Sequence, residues 1–222
     1  MELMVVVILI GILTVMAMPT MAEAHANART LDDATRIAEL YRAGRTRAIG
    51  RGAAMLVQMA SANTYNSFNA TPTNAAGGLG VFFLYEAQVT GTGFSSLLPL
   101  PGGSPLSSCG SPATVWPTII ANASSSLMDE VTLNTTAEQT YQIWSTLNDD
   151  TGVVPTAGSL CYTPLGRTYY QPTATPVFTP GAGMLRGELQ ISVQRSGIGG
   201  PVTGITRTVI VPDSGSTRIV SR

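Results

Sequence analysis

Few side chains in this sequence have the type and spacing for chemistry, and the least ordinary of them is Glu2. It heads an almost unbroken apolar run from Leu3 to Met18, closed by Pro19. A carboxylate at the head of an apolar helix is costly in lipid unless a cation meets it, so Glu2 asks for a basic partner. Elsewhere the inventory argues against catalysis. His25 is the single histidine, and with two cysteines it makes neither a conventional zinc site nor a histidine-based triad. Asp129-Glu130 and Asp149-Asp150 are adjacent acids; on a strand such neighbours point to opposite faces, and they supply too few oxygens for calcium. Gly197-Ile198-Gly199-Gly200 runs into Pro201 rather than a helix, so it is no phosphate cradle. Basic chemistry rests on arginine, since the 12 basic residues include no lysine. Arg207, Arg218 and Arg222 would be gathered by a hairpin turning through residues 212–215. Three arginines are enough for about three phosphate contacts, and so for weak DNA binding. The residues predict no enzyme, no cofactor and no metal site.

The apolar run that Glu2 heads is helical in character. From Leu3 to Met18 it would cover roughly 24 Å, a little short of a ~30 Å hydrocarbon core. Four or five more apolar residues ahead of it would bring it to spanning length. From Ala22 to about Arg51 the pattern stays helical but turns amphipathic. Leu31, Ala34, Ile37, Ala38, Tyr41, Ala48 and Ile49 recur at helical spacing. Asp32, Asp33, Arg36, Glu39, Arg42, Arg45 and Arg47 fill the remainder, with local ion pairs such as Asp32–Arg36 expected on a solvated face. Thr30 or Asp32 as a cap would allow a break near Asn27, and Gly50 and Gly52 end the segment. A helix from Glu2 to Gly50 would be on the order of 70 Å long, far more than a membrane needs. Its second half must therefore pack on a domain.

The rest reads as β structure with long loops. Residues 53–59, 81–85, 115–120, 131–133, 141–144, 160–163, 189–193, 206–211 and 217–220 are short β-branched or aromatic runs, separated by Gly, Pro, Ser and Thr clusters. The expected class is α+β: a long N-terminal helix packed on a β-sandwich-like head of two small sheets. The boundaries are 1–21 for an apolar, membrane-spanning helix, 22–52 for its amphipathic continuation and 53–222 for the head.

The opening stretch, MELMVVVILIGILTVMAMP, resembles the start of a mature type IV pilin or type II secretion pseudopilin. Glu2 stands at that family's glutamate, Gly11 at its helical glycine and Pro19 at its proline near the membrane surface. The stretch DDATRIAELYRAGRTRAIGRGAAMLVQM is similar to the GspH/FimT branch, with Arg45, Ala48, Ile49 and Arg51 at positions of a phrase that runs from helix into first strand. Two later phrases, at 161–168 and 206–219, resemble the same branch, each with a Gly-Arg or Gly-x-x-Arg turn before a strand.

The resemblance implies a lollipop-shaped structural subunit, a minor pilin or pseudopilin rather than an enzyme. It would sit in the bacterial inner membrane by a single pass with its head in the periplasm, and then join a type II secretion pseudopilus or a type IV pilus. Its partners would be the N-terminal helices of other pilin or pseudopilin subunits, the inner membrane, and prepilin peptidase acting on a precursor with a leader. Glu2 would neutralise a neighbour's amino terminus. A basic leader ending in Gly-Phe-Thr-Leu or close to it is expected upstream of Met1. Export also favours a single disulfide between Cys109 and Cys161.

Two other readings compete. Some FimT-like subunits bind DNA through a C-terminal Gly-Arg-x-Arg motif; here Gly215-Ser216-Thr217-Arg218 matches with the first arginine replaced. A Sec-secreted soluble β-sandwich binding domain, cleaved after Ala24, is suggested by Ala22-Glu23-Ala24. Against that cut, no Lys or Arg precedes the run, and the helical pattern continues through it.

Overall fold

The computed structural model describes residues 2–61, 79–89, 104–105, 108–110, 116, 120, 127–133, 141–148, 155, 157–173, 176–178, 183–197, 202–214 and 216–221. For Glu2, Leu3, Val5, Ile8, Ala22, residues 13–20 and a few strand positions it describes the backbone alone. One helix, α1 (Glu2–Arg51), precedes every strand. It runs unbroken through Gly11, Pro19 and Asn27, so the break allowed near Asn27 does not form. Gly52 stops it with φ +68, the left-handed turn that a residue without Cβ adopts at low cost.

Among the described residues eleven strands follow: β1 (Met55–Ser61), β2 (Leu79–Glu86), β3 (Gln88–Val89), β4 (Ser104–Pro105), β5 (Leu127–Thr132), β6 (Tyr141–Asn148), β7 (Ala157–Tyr162), β8 (Thr168–Gln171), β9 (Glu188–Gly197), β10 (Val202–Pro212) and β11 (Arg218–Ser221). All pairings are antiparallel. The main sheet runs β11-β10-β9-β6-β2-β1-β7-β8, with β5 also on β2, while β3 and β4 pair separately.

The sandwich of two facing sheets that the sequence suggests is not what the hydrogen bonds draw. Among the described residues nine of the strands join in one sheet with a seam: β6 meets β2 at one residue pair, Leu79↔Ser145, whereas β5 takes the length of that edge from Val81 to Tyr85. The run expected at 115–120 is not a strand at its described positions, since Trp116 and Ile120 are helical. Trp116 is instead buried, and its indole nitrogen donates to the Cys109 carbonyl at 3.1 Å.

The second half of α1 is the centre of the main core. Ala34, Ile37, Ala38, Leu40, Tyr41 and Ala48 face inward residues from both sides of the seam: Met55, Val57 and Met59 of β1, Phe82 and Leu84 of β2, and Leu189, Ile191, Val193, Val209 and Val211 of β9 and β10. Alternation along β9 and β10 fits this, with apolar residues inward and Gln190, Ser192 and Gln194 away from the helix. The β1–β2–β7 side is apolar on both faces, because a second cluster covers its outer side. Leu56, Val81, Phe83, Tyr85 and Cys161 lie there under Cys109, Trp116 and Phe178. The Cys109–Cys161 disulfide, 52 residues apart in sequence, ties that cover to β7. The expected bridge is therefore present.

Gly44 brings helix and sheet together. A Cβ there would lie 3.1 Å from Leu84 Cδ1, tighter than an ordinary contact, and at contact distance, 3.4 and 3.5 Å, from Val57 Cγ2 and Tyr162 Cδ2, so α1 rests closely on β2, β1 and β7 at this point.

Among the described residues no helix is long and apolar enough to cross a membrane. The membrane-spanning reading of residues 1–21 falls on a stretch where Met1 and the side chains of 13–20 lie outside the described residues.

Candidate assembly surface

The helix that carries the candidate residues divides sharply by exposure. Every described side chain from Met4 to His25 is exposed, Ala26 and Asn27 are half-buried, and Thr30 is the first buried residue. The exposed side chains of the outer part are large and apolar: Met4, Val6, Val7, Leu9, Ile12 and Met21, with Val7 60% and Met4 76% accessible. None of them belongs to either core cluster. From Met4 to Ile12 they cover about two turns, and such a patch of exposed aliphatic side chains is rare on a monomeric soluble protein and marks a surface that something else covers. Gly11 lies in this part, and a Cβ added there would meet nothing within 4 Å. Glu2 and Pro19 are helical in backbone, and their side chains lie outside the described residues.

Polar contacts fasten the inner part of α1 to the head at three levels. Asn27 Oδ1 accepts from the amide of Ile205 at 3.5 Å. Arg42 donates twice to the Thr217 carbonyl, at 3.2 Å from Nε and 2.6 Å from Nη2, holding the start of β11. Arg51, in the last turn, meets the buried Glu86 of β2 at 3.0 Å. The second oxygen of Glu86 has no hydrogen-bond partner among the described residues. A lone cation on a buried carboxylate makes that pair costly to break, because its loss would leave a buried charge uncompensated. The expected Asp32–Arg36 pair is not among the ion pairs of the described residues, and both side chains are exposed.

Arg207 and Arg218 do not share a face. The expected hairpin forms: β10 pairs with β11, with Arg207 opposite Ser221 and Ile210 opposite Arg218. Paired residues share a face and faces alternate, so Arg207 lies with Val209 and Val211 on the helix side and Arg218 on the other. Arg207 Nη1 donates to Ser221 Oγ. Arg218 reaches Glu188 at 3.5 Å, an exposed pair that offsets its charge. Arg222 and Gly215 lie outside the described residues. A hairpin was legible in the sequence, but its register was not, and the register decides the faces.

Of the paired acids, Asp129 and Glu130 are exposed on β5 and satisfied locally. Asp129 Oδ1 takes the Glu130 amide at 2.9 Å and Glu130 Oε1 takes the Thr132 hydroxyl at 2.8 Å. Asp149-Asp150 lies outside the described residues. Among the described residues no group of three or more His, Cys, Asp or Glu side chains could hold a metal ion.

No family model, curated protein or solved structure matches the chain.

Sequence reading missed the structural use of Asn27, Arg42 and Glu86. Their partners are a backbone amide, a backbone carbonyl and a residue 35 positions away in sequence, none of which leaves a local signature.

Proposed function

We propose that this chain is a structural subunit of a type IV pilin-like filament, a minor pilin or pseudopilin whose apolar N-terminal helix is both membrane anchor and assembly element. The observation that carries the reading is the division of α1: its inner part is core to a β-rich head, while its outer part presents exposed Met4, Val6, Val7, Leu9 and Ile12. Lipid covers such a surface before assembly, and neighbouring helices cover it afterwards. In the filament the apolar surroundings make an unpaired Glu2 carboxylate costly, so a neighbour's amino terminus beside it would set the axial register. The head then faces the periplasm and presents its loops to other subunits.

The DNA-uptake reading loses support from the opposite faces of Arg207 and Arg218. The secreted-domain reading loses support from the unbroken helix through Ala24. Fractionation of producing cells tests the choice. The full chain should remain with inner membranes after carbonate washing and yield to detergent. A soluble periplasmic form whose first residue is His25 would sink the proposal.

A further inference from the structure

The apolar core does not reach the place where α1 leaves the head. Its first member on the helix is Ala34, and the first buried residue is Thr30, whose hydroxyl donates to the Ala26 carbonyl at 3.1 Å. One turn further out stands Asn27, and against it lies the β9–β10 hairpin. The regular pairing of those strands is interrupted between Thr203 and Arg207. Gly204, in that interruption, has φ +78. A Cβ on Gly204 would lie 2.8 Å from Asn27 Oδ1 and 2.9 Å from Arg195 Nε. Arg195 is itself 4% exposed and donates from Nε to the Thr203 carbonyl at 3.3 Å. The buried guanidinium thus braces the bulge, and the bulge brings the Ile205 amide to Asn27 Oδ1 at 3.5 Å. A glycine is required twice over, for its backbone conformation and for the space its missing side chain leaves.

We infer that this Asn27–Gly204–Arg195 clasp, rather than the apolar core, fixes the point at which α1 leaves the head. Asn27 and Gly204 are positioning residues: they hold the turn from Glu23 to Thr30 against the hairpin and so set the angle and height of the outer helix relative to the β structure. Without them the helix would be held from Thr30 inward, and the outer part would pivot about one turn closer to the core. The inference concerns the isolated molecule and stands whatever surrounds the apolar segment.

Hydrogen exchange on the full chain in detergent micelles tests it, comparing the unaltered protein with Asn27→Ala and Gly204→Ala. In both variants the amides of residues 23–30 should exchange about five- to tenfold faster, the factor expected when one net hydrogen bond is lost. Amides of 37–41 and of β9 should be unchanged. Gly204→Ala also strains the hairpin, so if its β9 amides lose protection, Asn27→Ala alone decides. Unchanged exchange at 23–30 in Asn27→Ala would overturn the inference.

Discussion

Two buried polar side chains on α1 show the cost of docking a helix on a sheet. Tyr41 is fully buried, and its hydroxyl finds no hydrogen-bond partner among the described residues. Burial first, and then the neighbouring Tyr162 and Tyr170, push its ionisation well above the usual phenol range. Removing an unsatisfied buried hydroxyl removes a desolvation cost, so Tyr41→Phe should leave stability unchanged or raise it by up to about 1 kcal/mol. A loss larger than that in urea unfolding would mean the hydroxyl has a partner. Asp33 is 7% exposed, and burial, opposed by Arg36, raises its pKa from 3.8 to about 6. The folded state therefore holds the proton more tightly than the unfolded chain does. Its favourable contribution is complete below pH 3.8 and is lost as pH rises through about 6. Asp33→Asn should match the parent near pH 4 and be the more stable of the two at pH 7, by about 1 kcal/mol or more. An equal stability difference at both pH values would contradict this assignment.

At the scale of elements, what the sequence revealed depended on whether the signal was local. The amphipathic spacing from Ala34 to Ala48, the glycine stop at Gly52 and the β-branched runs at 189–193 and 206–211 were all legible, and all are formed. The cover over the outer face of β1, β2 and β7 was not. Trp116 sits in an apolar run that reads as a strand, and its burial is decided by a face that distant strands create. Strand register was equally hidden, which is why Arg207 and Arg218 were expected together and lie apart. The disulfide fastens the cover across 52 residues. Replacing both Cys109 and Cys161 by Ala should cost roughly 4 kcal/mol on the chain-entropy account of a loop that long. Guanidinium unfolding followed by Trp fluorescence would measure it; an unchanged midpoint would show that the cover docks without its tie.

The whole molecule joins two unlike parts through one continuous helix. Its inner half supplies a core for strands on both sides of a seam, and three polar contacts, at Asn27, Arg42 and Arg51, hold it there. Its outer half exposes the aliphatic side chains that a soluble chain would bury. The proposed filament role requires that outer half to be an assembly surface. Photo-crosslinking in producing cells probes it most directly, with a photoreactive residue at Val7 or, as a control, at Leu165 on the exposed β7–β8 turn. Val7 should give adducts to the N-terminal helix of another subunit, reduced about tenfold or more by Glu2→Ala because that change leaves a neighbour's charge unpaired in apolar surroundings. Val7 adducts that go to lipid alone, at the same yield with and without Glu2, in cells that assemble the filament, would contradict it.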